Sequence, residues 1–379
     1  RLFAPAQPGQ VPDAPARTEG DTDVDWQQLA CAVALRSRVA VLTGGPGTGK
    51  TYTAARLLAL LAAMEPPGRP WRVALAAPTG KAAARLRQSI DGALQDLQTP
   101  LQGVLDVQAL AQRLGPARTL HALLGAQPHT RQMRHHAGHP LDVDVLLVDE
   151  ASMVHLEMMA QLLEALPPGA RLVLLGDKDQ LASVEAGAVF GQLCVLRGYS
   201  GAFVAQMQAA TGIDLPVAAD ASPVGSTVML LQHSYRFHAD SGIGELARLA
   251  NAGDGVAALM LCRSGNFADI QLNDARLSGY KTALLQRVEQ GFVDYWTAIR
   301  AGDAAAAFAA FGRFRLLAAH REGEGGVYWL NAAIEQRWAQ RGWLNTRSPW
   351  YAGRPVMVSE NDYALQLFNG DIGLTLLRD

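Results

Sequence analysis

The stretch "GGPGTGKT" (residues 44–51) decides how the rest of the chain is interpreted. It fits the spacing G-x-x-x-x-G-K-[ST], in which glycines let backbone N–H groups turn toward bound phosphates. An apolar, strand-like run at 38–43 precedes it, and a helix-like stretch at 51–64 follows it. A glycine-rich turn without a ligand is the alternative, but this placement is the one that a phosphate-binding loop requires. The sequence therefore predicts a nucleotide phosphate site.

Within this loop, two side chains have distinct expected roles. We expect the Lys50 ammonium to reach the β and γ phosphates and the Thr51 hydroxyl to ligate Mg²⁺. The backbone of the whole loop surrounds the phosphates in such sites. The candidate nucleotide-binding residues are Gly44, Gly45, Pro46, Gly47, Thr48, Gly49, Lys50 and Thr51.

A second apolar run, "DVDVLLVD" (residues 142–149), ends in two carboxylates, Asp149 and Glu150. Ligands of open α/β sheets bind at the carboxyl ends of the strands. We expect Asp149 to hold Mg²⁺, directly or through water, and Glu150 to activate the attacking water. A solvated turn is the usual interpretation of such an ending, but the phosphate-binding loop upstream favours the catalytic one.

The stretch "GDKDQLASVEAG" (residues 176–187) follows a third apolar run and carries an unusual number of polar groups. An amide ligates metal poorly but bonds both water and phosphate, so Gln180 is a candidate sensor of the γ-phosphate. For Asp177 and Asp179 the alternative is turn or cap chemistry, which we expect at Asp179.

Strand-like and helix-like segments alternate along the chain. Near-continuous apolar runs at 38–43, 72–77, 142–149 and 171–176, separated by helical stretches, predict the α/β class, with a mainly parallel sheet covered on both faces. Residues 4–23 have the composition of a linker, and the pattern weakens again at 197–226. The predicted division is 1–25 (linker and end of a preceding domain), 26–227 (first domain) and 228–379 (second domain).

Composition sets broad limits. The 379 residues allow two or three domains, and a formal charge of −2 gives no indication of a nucleic-acid partner, so any DNA contact would have to be local. Three dispersed cysteines fit a reducing compartment. The sequence shows no signal peptide and no apolar stretch of membrane-spanning length, which predicts a cytoplasmic protein.

Eight motifs, in order, resemble those of the superfamily-one DNA helicases, and most closely those of the RecD family, the alpha subunits of exonuclease V. The resemblance runs from Trp26 to Leu377. The motifs are "WQQLA", "GGPGTGKT", "APTGKAAARL", "TLHALLGAQP", "VDEASM", "GDKDQLASVEAGAV", "LLQHSYRF…SGIGELA" and "GRPVMV…ND…LFNGDIG". The resemblance implies two RecA-like motor domains, the second incomplete. It also implies ATP and Mg²⁺ as cofactors, 5′-to-3′ movement on DNA in break repair and recombination, RecB- and RecC-type partner subunits, and a nuclease on another subunit.

The resemblance also assigns roles to individual residues. Gln27 resembles a glutamine that recognises adenine, although a solvated helix glutamine is the alternative. Gln180 resembles the glutamine that links the γ-phosphate to DNA movement. Arg236 of "SYRF" resembles an arginine that the second domain presents to the γ-phosphate. The residues that match DNA-contacting positions are Thr79, Gly80, Lys81, Thr119 and His121.

Several alternatives remain open. The chain ends before the family's Ser-Gln-Gly and Thr-Arg-Ala motifs, so we expect this sequence to bind ATP but to unwind DNA poorly. A stand-alone RecD-like or relaxase-type helicase is one rival, and a P-loop ATPase switch that does not translocate is another. The histidines of "RQMRHHAGHP" (His135, His136 and His139) lack an acid or cysteine at ligand spacing, which favours a polar loop over a metal site. The scattered tryptophans are typical of core positions rather than of a base-stacking surface.

Overall fold

The computed structural model describes residues 2–3, 25–66, 68–127, 132–180, 189–237, 241–344, 348–359, 362, 365, 367 and 370–376. The linker stretch at 4–23, the residues at 181–188 and part of the "LFNGDIG" motif lie outside the described residues. The chain divides into two compact units, Arg1–Ile270 and Gln271–Asp379. No helix in the described part of the chain is long and apolar enough to cross a membrane.

The first unit is built on a six-stranded sheet in the order β3-β2-β4-β5-β1-β6. All of its pairings are parallel. The strands are β1 (Val39–Gly44), β2 (Val73–Ala77), β3 (Arg118–Thr119), β4 (Val145–Val148), β5 (Arg171–Gly176) and β6 (Val228–Leu231). Because parallel strands point the same way, the loops after all six strands lie at one edge of the sheet.

Helices cover both faces of this sheet. The helices of the first unit are α1 (Trp26–Arg36), α2 (Lys50–Ala63), α3 (Gly80–Gln98), α4 (Val107–Arg113), α5 (Leu120–Leu124), α6 (Leu156–Ala165), α7 (Val189–Val195), α8 (Gly201–Thr211), α9 (Gly242–Asn251) and α10 (Gly255–Ser264). Alternate side chains of β5 enter opposite cores: Val173 and Leu175 pack into one, Leu172 and Leu174 into the other. A strand buried on both faces has no polar positions to alternate with apolar ones, which is why these runs are continuously apolar in the sequence.

The position of β6 differs from the division expected from the sequence. The sequence pattern places residues 228–231 in the second domain, but β6 pairs with β1 (Val41 opposite Val228) as the edge strand of the first sheet. Val228 and Met229 are completely buried there. The boundary between the compact units lies at Ile270 and Gln271 rather than at 227 and 228. The weak pattern at 197–226 includes α8 and its connection to β6, within the first unit.

The second unit has its own aromatic core. Its described elements are α11 (Tyr280–Gly291), α12 (Val293–Arg300), α13 (Ala304–Arg313), α14 (Val327–Gln340) and the antiparallel pair β7 (Pro355–Met357) and β8 (Ile372–Leu374). Trp296, Trp338 and Trp343 pack together with Phe292 in this core. These three tryptophans therefore have the structural role that the sequence favoured.

An ion-pair cluster around the buried Glu289 connects two helices of the second unit. Glu289 of α11 accepts hydrogen bonds from Arg337 (2.9 and 3.1 Å) and Arg341 (3.1 Å) of the α14 end. These guanidinium groups, Arg337 above all, hold the pKa of Glu289 below its ordinary value. A carboxylate with this many charge-assisted bonds orients the helices as well as stabilising their packing.

Candidate nucleotide-binding site

The phosphate-binding loop connects β1 to α2 and depends on two glycines with left-handed backbone conformations. Gly47 has φ = 77° and Gly49 has φ = 80°, values that side-chain-bearing residues rarely adopt. Space is also restrictive at Gly47, where a Cβ would lie 2.3 Å from Cβ of Arg236; a Cβ at Gly49 would lie 2.4 Å from Nε2 of Gln27, the end of a flexible side chain. The loop therefore requires glycine at both positions for conformational reasons, and at Gly47 for steric reasons as well.

Lys50, the first residue of α2, folds its side chain back over this loop. Its Nζ donates hydrogen bonds to the carbonyl oxygens of Gly44 (2.6 Å) and Gly45 (3.1 Å). Burial lowers the pKa of the Lys50 ammonium, while the carboxylates of Asp177, Asp149 and Glu150 act in the opposite direction. The ammonium is thus held by the loop backbone, and three nearby carboxylates act on its pKa.

Two threonines complete the start of α2. The Thr48 hydroxyl donates to the Gly45 carbonyl (2.9 Å), which closes the loop on itself. Thr51 is half-buried in the first turn of the helix, where backbone N–H groups have no partner within the helix. The positive end of α2 and the Lys50 ammonium together make this a favourable place for a polyphosphate.

Asp149 and Glu150 follow β4, and their backbone is held in an uncommon shape. Glu150 has φ = 52°, the one positive φ at a residue other than glycine in the described part of the chain. This conformation costs about 1–2 kcal/mol for an L-residue. The Asp149 Oδ1 accepts a hydrogen bond from the Glu150 amide (2.9 Å), and the Asp149 amide donates to Ala76 of β2 (2.9 Å). These bonds fix the direction in which the two carboxylates leave the sheet.

The acidity of both groups is altered by their surroundings. Burial raises the pKa of the Asp149 carboxyl, against the effect of the Glu150 amide and Lys50. Burial and the neighbouring Asp149 raise the pKa of Glu150. A carboxyl whose pKa is raised toward neutrality is a better proton acceptor than an ordinary one, which suits Glu150 to general-base work.

Asp177 is a site residue whose importance the sequence analysis missed. It follows β5, which lies between β1 and β4, and it is only 3% exposed. Among the acids near Lys50, it has the strongest effect on the pKa of that ammonium. It also has the turn role that the sequence allowed, since its Oδ1 accepts the Asp179 amide (3.0 Å). The sequence signal that could have identified Asp177 was its position directly after a strand. The strands on either side of that strand, β1 and β4, are followed by other residues of the site.

Gln180 is placed by the same turn. Its amide donates to the Asp177 carbonyl (3.3 Å), and the Lys178 amide donates to the Thr43 hydroxyl of β1 (3.2 Å). The stretch 177–180 is therefore attached to the strand that leads into the phosphate-binding loop. The Gln180 side chain is exposed, and Lys178 and Asp179 pair with each other (2.6 Å) as turn residues.

Arg236 lies against the phosphate-binding loop, but not in the way that the sequence implied. The Tyr235 amide donates to the Gly47 carbonyl (2.8 Å), and the Ser234 hydroxyl donates to the Pro46 carbonyl (3.0 Å). These contacts hold the "SYRF" segment beside the loop, and Arg236 is close enough to lower the pKa of Lys50. Arg236 belongs to the first compact unit rather than to the second domain, because β6 joins the first sheet and its following loop returns to β1.

Gln27 of α1 also reaches this loop, where a Cβ at Gly49 would lie 2.4 Å from its Nε2. The Asp25 carboxylate caps α1 and accepts the Gln27 amide N–H (3.1 Å), which fixes where the helix begins. The Gln27 side chain is 7% exposed, and its Oε1 accepts a hydrogen bond from Arg56 Nη1 (3.0 Å). The structure therefore brings together Gln27, the loop, the acids at the strand ends and Arg236.

The five candidate DNA-contacting residues form a separate group after β2 and β3, at the end of the strand order away from β1. Thr79 and Thr119 follow the neighbouring strands β2 and β3, in which Ala77 is paired with Thr119. Their hydroxyls cap α3 and α5 by accepting the amides of Ala82 (3.2 Å) and Ala122 (3.1 Å). The residues within this group range from buried Gly80 through half-buried Lys81 to exposed His121. Three strand spacings separate β2 from β1, about 14 Å, so these residues do not contact a nucleotide in the loop directly.

The histidine-rich loop has a defined backbone. His136 and His139 exchange backbone hydrogen bonds (2.9 and 3.1 Å), and the rings of His135 and His139 stack with centroids 5.0 Å apart. The His136 ring accepts the Gly138 amide (3.1 Å). Within the described residues, no group of three or more His, Cys, Asp or Glu side chains is arranged to hold a metal ion.

Comparison with known proteins agrees with the site. A family model described as an AAA domain matches residues 27–186, the part of the chain that contains the phosphate-binding loop and both acidic strand ends. The chain is 41% identical over 385 residues to the RecBCD enzyme subunit RecD of Mycobacterium tuberculosis, covering 99% of this chain and 59% of that protein. The chain is thus similar to a RecD subunit over almost its whole length. It is also 37% identical to the same subunit of Haemophilus influenzae, covering 94% of this chain and 58% of the relative.

The chain spans about three fifths of the length of these RecD relatives. A shorter similarity, 40% identity over 150 residues, links it to the ATP-dependent RecD2 DNA helicase of Deinococcus radiodurans, covering 40% of this chain and 17% of that protein. Among solved structures, Bacteroides Pif1 bound to single-stranded DNA matches with a TM-score of 0.41 and 16% identity, covering 94% of this chain and 70% of that one. The predicted α/β, RecA-like parallel-sheet fold is confirmed for the first unit by its own sheet and loop. A RecA-like second domain stays a prediction.

Proposed function

We propose that this chain is the ATP-hydrolysing motor part of a DNA helicase, the RecD-type subunit of a RecBCD-like enzyme. The observation that carries the proposal is the convergence on one loop of Lys50, the acids after β4 and β5, and the Arg236 segment. A glycine-rich turn with a purely structural role has no need of a half-buried ammonium on whose pKa three carboxylates act. The similarity to RecD subunits over almost the whole chain supports the same conclusion.

Each residue of the site has a proposed task. Lys50 exchanges its carbonyl partners for β- and γ-phosphate oxygens, and the α2 amides hold the remaining phosphate charge. Glu150 accepts a proton from the attacking water, helped by its raised pKa. Arg236 stabilises the charge that develops on the transferred phosphoryl group, and Gln180 reports the loss of that group to the neighbouring loops.

The oxygen donors at the loop fit Mg²⁺. Thr51 offers a hydroxyl and Asp149 a carboxylate, and Mg²⁺ is commonly held by one or two such groups together with phosphate and water rather than by a cage of protein ligands. Bound there, Mg²⁺ would neutralise part of the phosphate charge. Thr51 and Asp149 are the residues that would hold it.

The DNA contact is proposed at the β2 and β3 edge. The amino ends of α3 and α5, with Gly80, Lys81 and His121, present amides and cationic or polar side chains of the kind that bind a phosphate backbone. Closure of the nucleotide site would be transmitted across β4 and β5 to this edge, which gives movement along one strand. We further propose 5′-to-3′ movement, RecB- and RecC-type partner subunits, a role in DNA break repair and recombination, and a cytoplasmic location.

Single-stranded DNA should stimulate ATP hydrolysis by the full-length protein at least about fivefold, the lower end of typical coupling between two sites. The reason is that a translocating motor couples strand binding to closure of the nucleotide site. The rate of phosphate release is measured with and without single-stranded DNA, and Lys50→Ala controls for a contaminating ATPase. A P-loop switch that never translocates would instead hydrolyse ATP at the same rate in both conditions.

Replacing Asp177 by asparagine should move the alkaline limit of hydrolysis to lower pH. Asp177 raises the pKa of Lys50, so its removal lowers that pKa and Lys50 loses its proton, and its hold on phosphate, earlier as the pH rises. We expect the activity at pH 9 relative to pH 7 to fall by about twofold or more. The matched control is Asp179→Asn at the exposed end of the same turn, which should leave the profile unchanged. Identical profiles for the two variants would contradict the role given to Asp177.

A further inference from the structure

Arg56 lies beside the predicted base-reading residue and makes contacts that capping or core packing does not explain. It lies on α2, six residues beyond Lys50, and its Nη1 donates to Gln27 Oε1 (3.0 Å). Its guanidinium lies 4.7 Å from the ring centroid of Tyr52 and 5.0 Å from that of Phe3. Its Nε is buried and has no hydrogen-bond partner among the described residues. Cation–π contacts with two aromatic rings restrict where the guanidinium lies and therefore where its donors point.

This contact determines how the Gln27 amide is oriented. A guanidinium carries only hydrogen-bond donors. It can therefore donate to the oxygen of the amide, but it cannot form a hydrogen bond with the NH₂ group, which is also a donor. The Gln27 nitrogen is accordingly on the other side, against the phosphate-binding loop, where a Cβ at Gly49 would lie 2.4 Å from Nε2. Rotating the amide by half a turn would put two donors against each other at Arg56, which is unfavourable.

A fixed amide distinguishes adenine from guanine. Oε1 has two lone pairs, so it can accept one bond from Arg56 and a second from the exocyclic N–H of adenine, while Nε2 donates to the ring N7. Guanine presents an oxygen where adenine presents that N–H, and the oxygen would face Oε1. A free amide would rotate and accommodate guanine, but an amide held by Arg56 does not.

We propose that Arg56 is a positioning and specificity-determining residue that holds the Gln27 amide in the orientation that selects adenine nucleotides over guanine nucleotides. The proposal rests on the proposed ATP-binding function and adds to it the residue responsible for base choice. Arg56 acts through Gln27, with Tyr52 and Phe3 holding its guanidinium in place.

The test is a competition titration of the full-length protein, in which ADP and GDP each displace a fluorescent ADP analogue. Wild type should prefer ADP, and Arg56→Met, which keeps a long apolar stem without donors, should lower the ADP-to-GDP preference by about tenfold or more. Arg56→Lys keeps a cationic donor group without the planar fork and should recover part of the preference. Thermal unfolding midpoints of all variants show whether each one is folded.

A double-mutant cycle separates this role from a structural one. In a Gln27→Ala background, Arg56→Met should change the preference by less than about twofold, because the amide that Arg56 orients is gone. An equal loss of preference with and without Gln27 would overturn the proposal, as would an Arg56→Met protein that discriminates like wild type or a wild type without preference. Failure of the wild type to bind either nucleotide would instead overturn the ATP-binding function itself, and this proposal with it.

Discussion

Replacement of Arg236 by alanine should lower kcat for ATP hydrolysis by about 10³-fold, the lower end of the effect of an arginine that stabilises phosphoryl transfer. The structure gives the reason. The Ser234 and Tyr235 bonds to Pro46 and Gly47 hold the segment at the loop, and Arg236 contributes a second cation close enough to lower the pKa of Lys50. Two cations that repel each other are both stabilised when a triphosphate binds between them. The stabilisation increases as negative charge builds up on the γ-phosphate.

Single-turnover hydrolysis and nucleotide affinity, measured on the same preparations, check this prediction. We expect affinity to change by less than about tenfold, because the guanidinium acts mainly on the transition state. Arg236→Lys keeps the charge but not the planar fork and should recover little of the rate. The matched control is Arg248→Ala, which removes an arginine paired with Glu245 on the surface of α9 and should leave the rate unchanged. A kcat for Arg236→Ala within about threefold of wild type would refute the role.

The parts of the site that sequence predicted are those encoded locally. The glycines, Lys50 and Thr51 occupy one loop, so their spacing alone determines which groups face a phosphate. The carboxylates Asp149 and Glu150 follow an apolar run that can only be a buried strand, so their place at the sheet edge followed from the class of fold. The conformation of Glu150, with φ = 52°, was not predictable, because it depends on bonds between β4 and β2.

The parts that sequence missed depend on the order of strands. Asp177 and Lys50 are 127 positions apart in the chain numbering, and only the placement of β5 beside β1 brings the aspartate to the ammonium. Arg56 is an ordinary helix residue until α1 places Gln27 against it. The membership of β6 in the first sheet was equally hidden, since four apolar residues fit either unit and only the pairing with β1 decides between them. Local patterns specify elements, whereas these features arise from pairings between distant elements.

Replacement of Glu150 by glutamine should lower kcat by about 10²- to 10⁴-fold while nucleotide binding persists, the range that general-base catalysis contributes. Glutamine keeps the size of the side chain and its hydrogen-bonding capacity, but it cannot accept the proton of the attacking water. Binding should persist because Lys50, the loop amides and Thr51 remain in place. Removing one of the carboxylates that surround the ammonium also reduces repulsion of the triphosphate, so affinity should rise rather than fall.

The pH dependence of the wild-type rate tests the same assignment independently. Burial and Asp149 raise the pKa of Glu150, so the rate should decline on the acid side at a pH above that of an ordinary glutamate, as the base becomes protonated. In Glu150→Gln the titrating carboxyl is gone, so the fall of the rate at low pH (the acid limb of the pH profile) should disappear from the residual activity. Glu157→Gln, an exposed glutamate in the first turn of α6, is the matched control and should keep both the rate and the limb. If the limb survives in Glu150→Gln, the titrating base is another group, and Asp149, whose pKa burial also raises, becomes the residue to replace next.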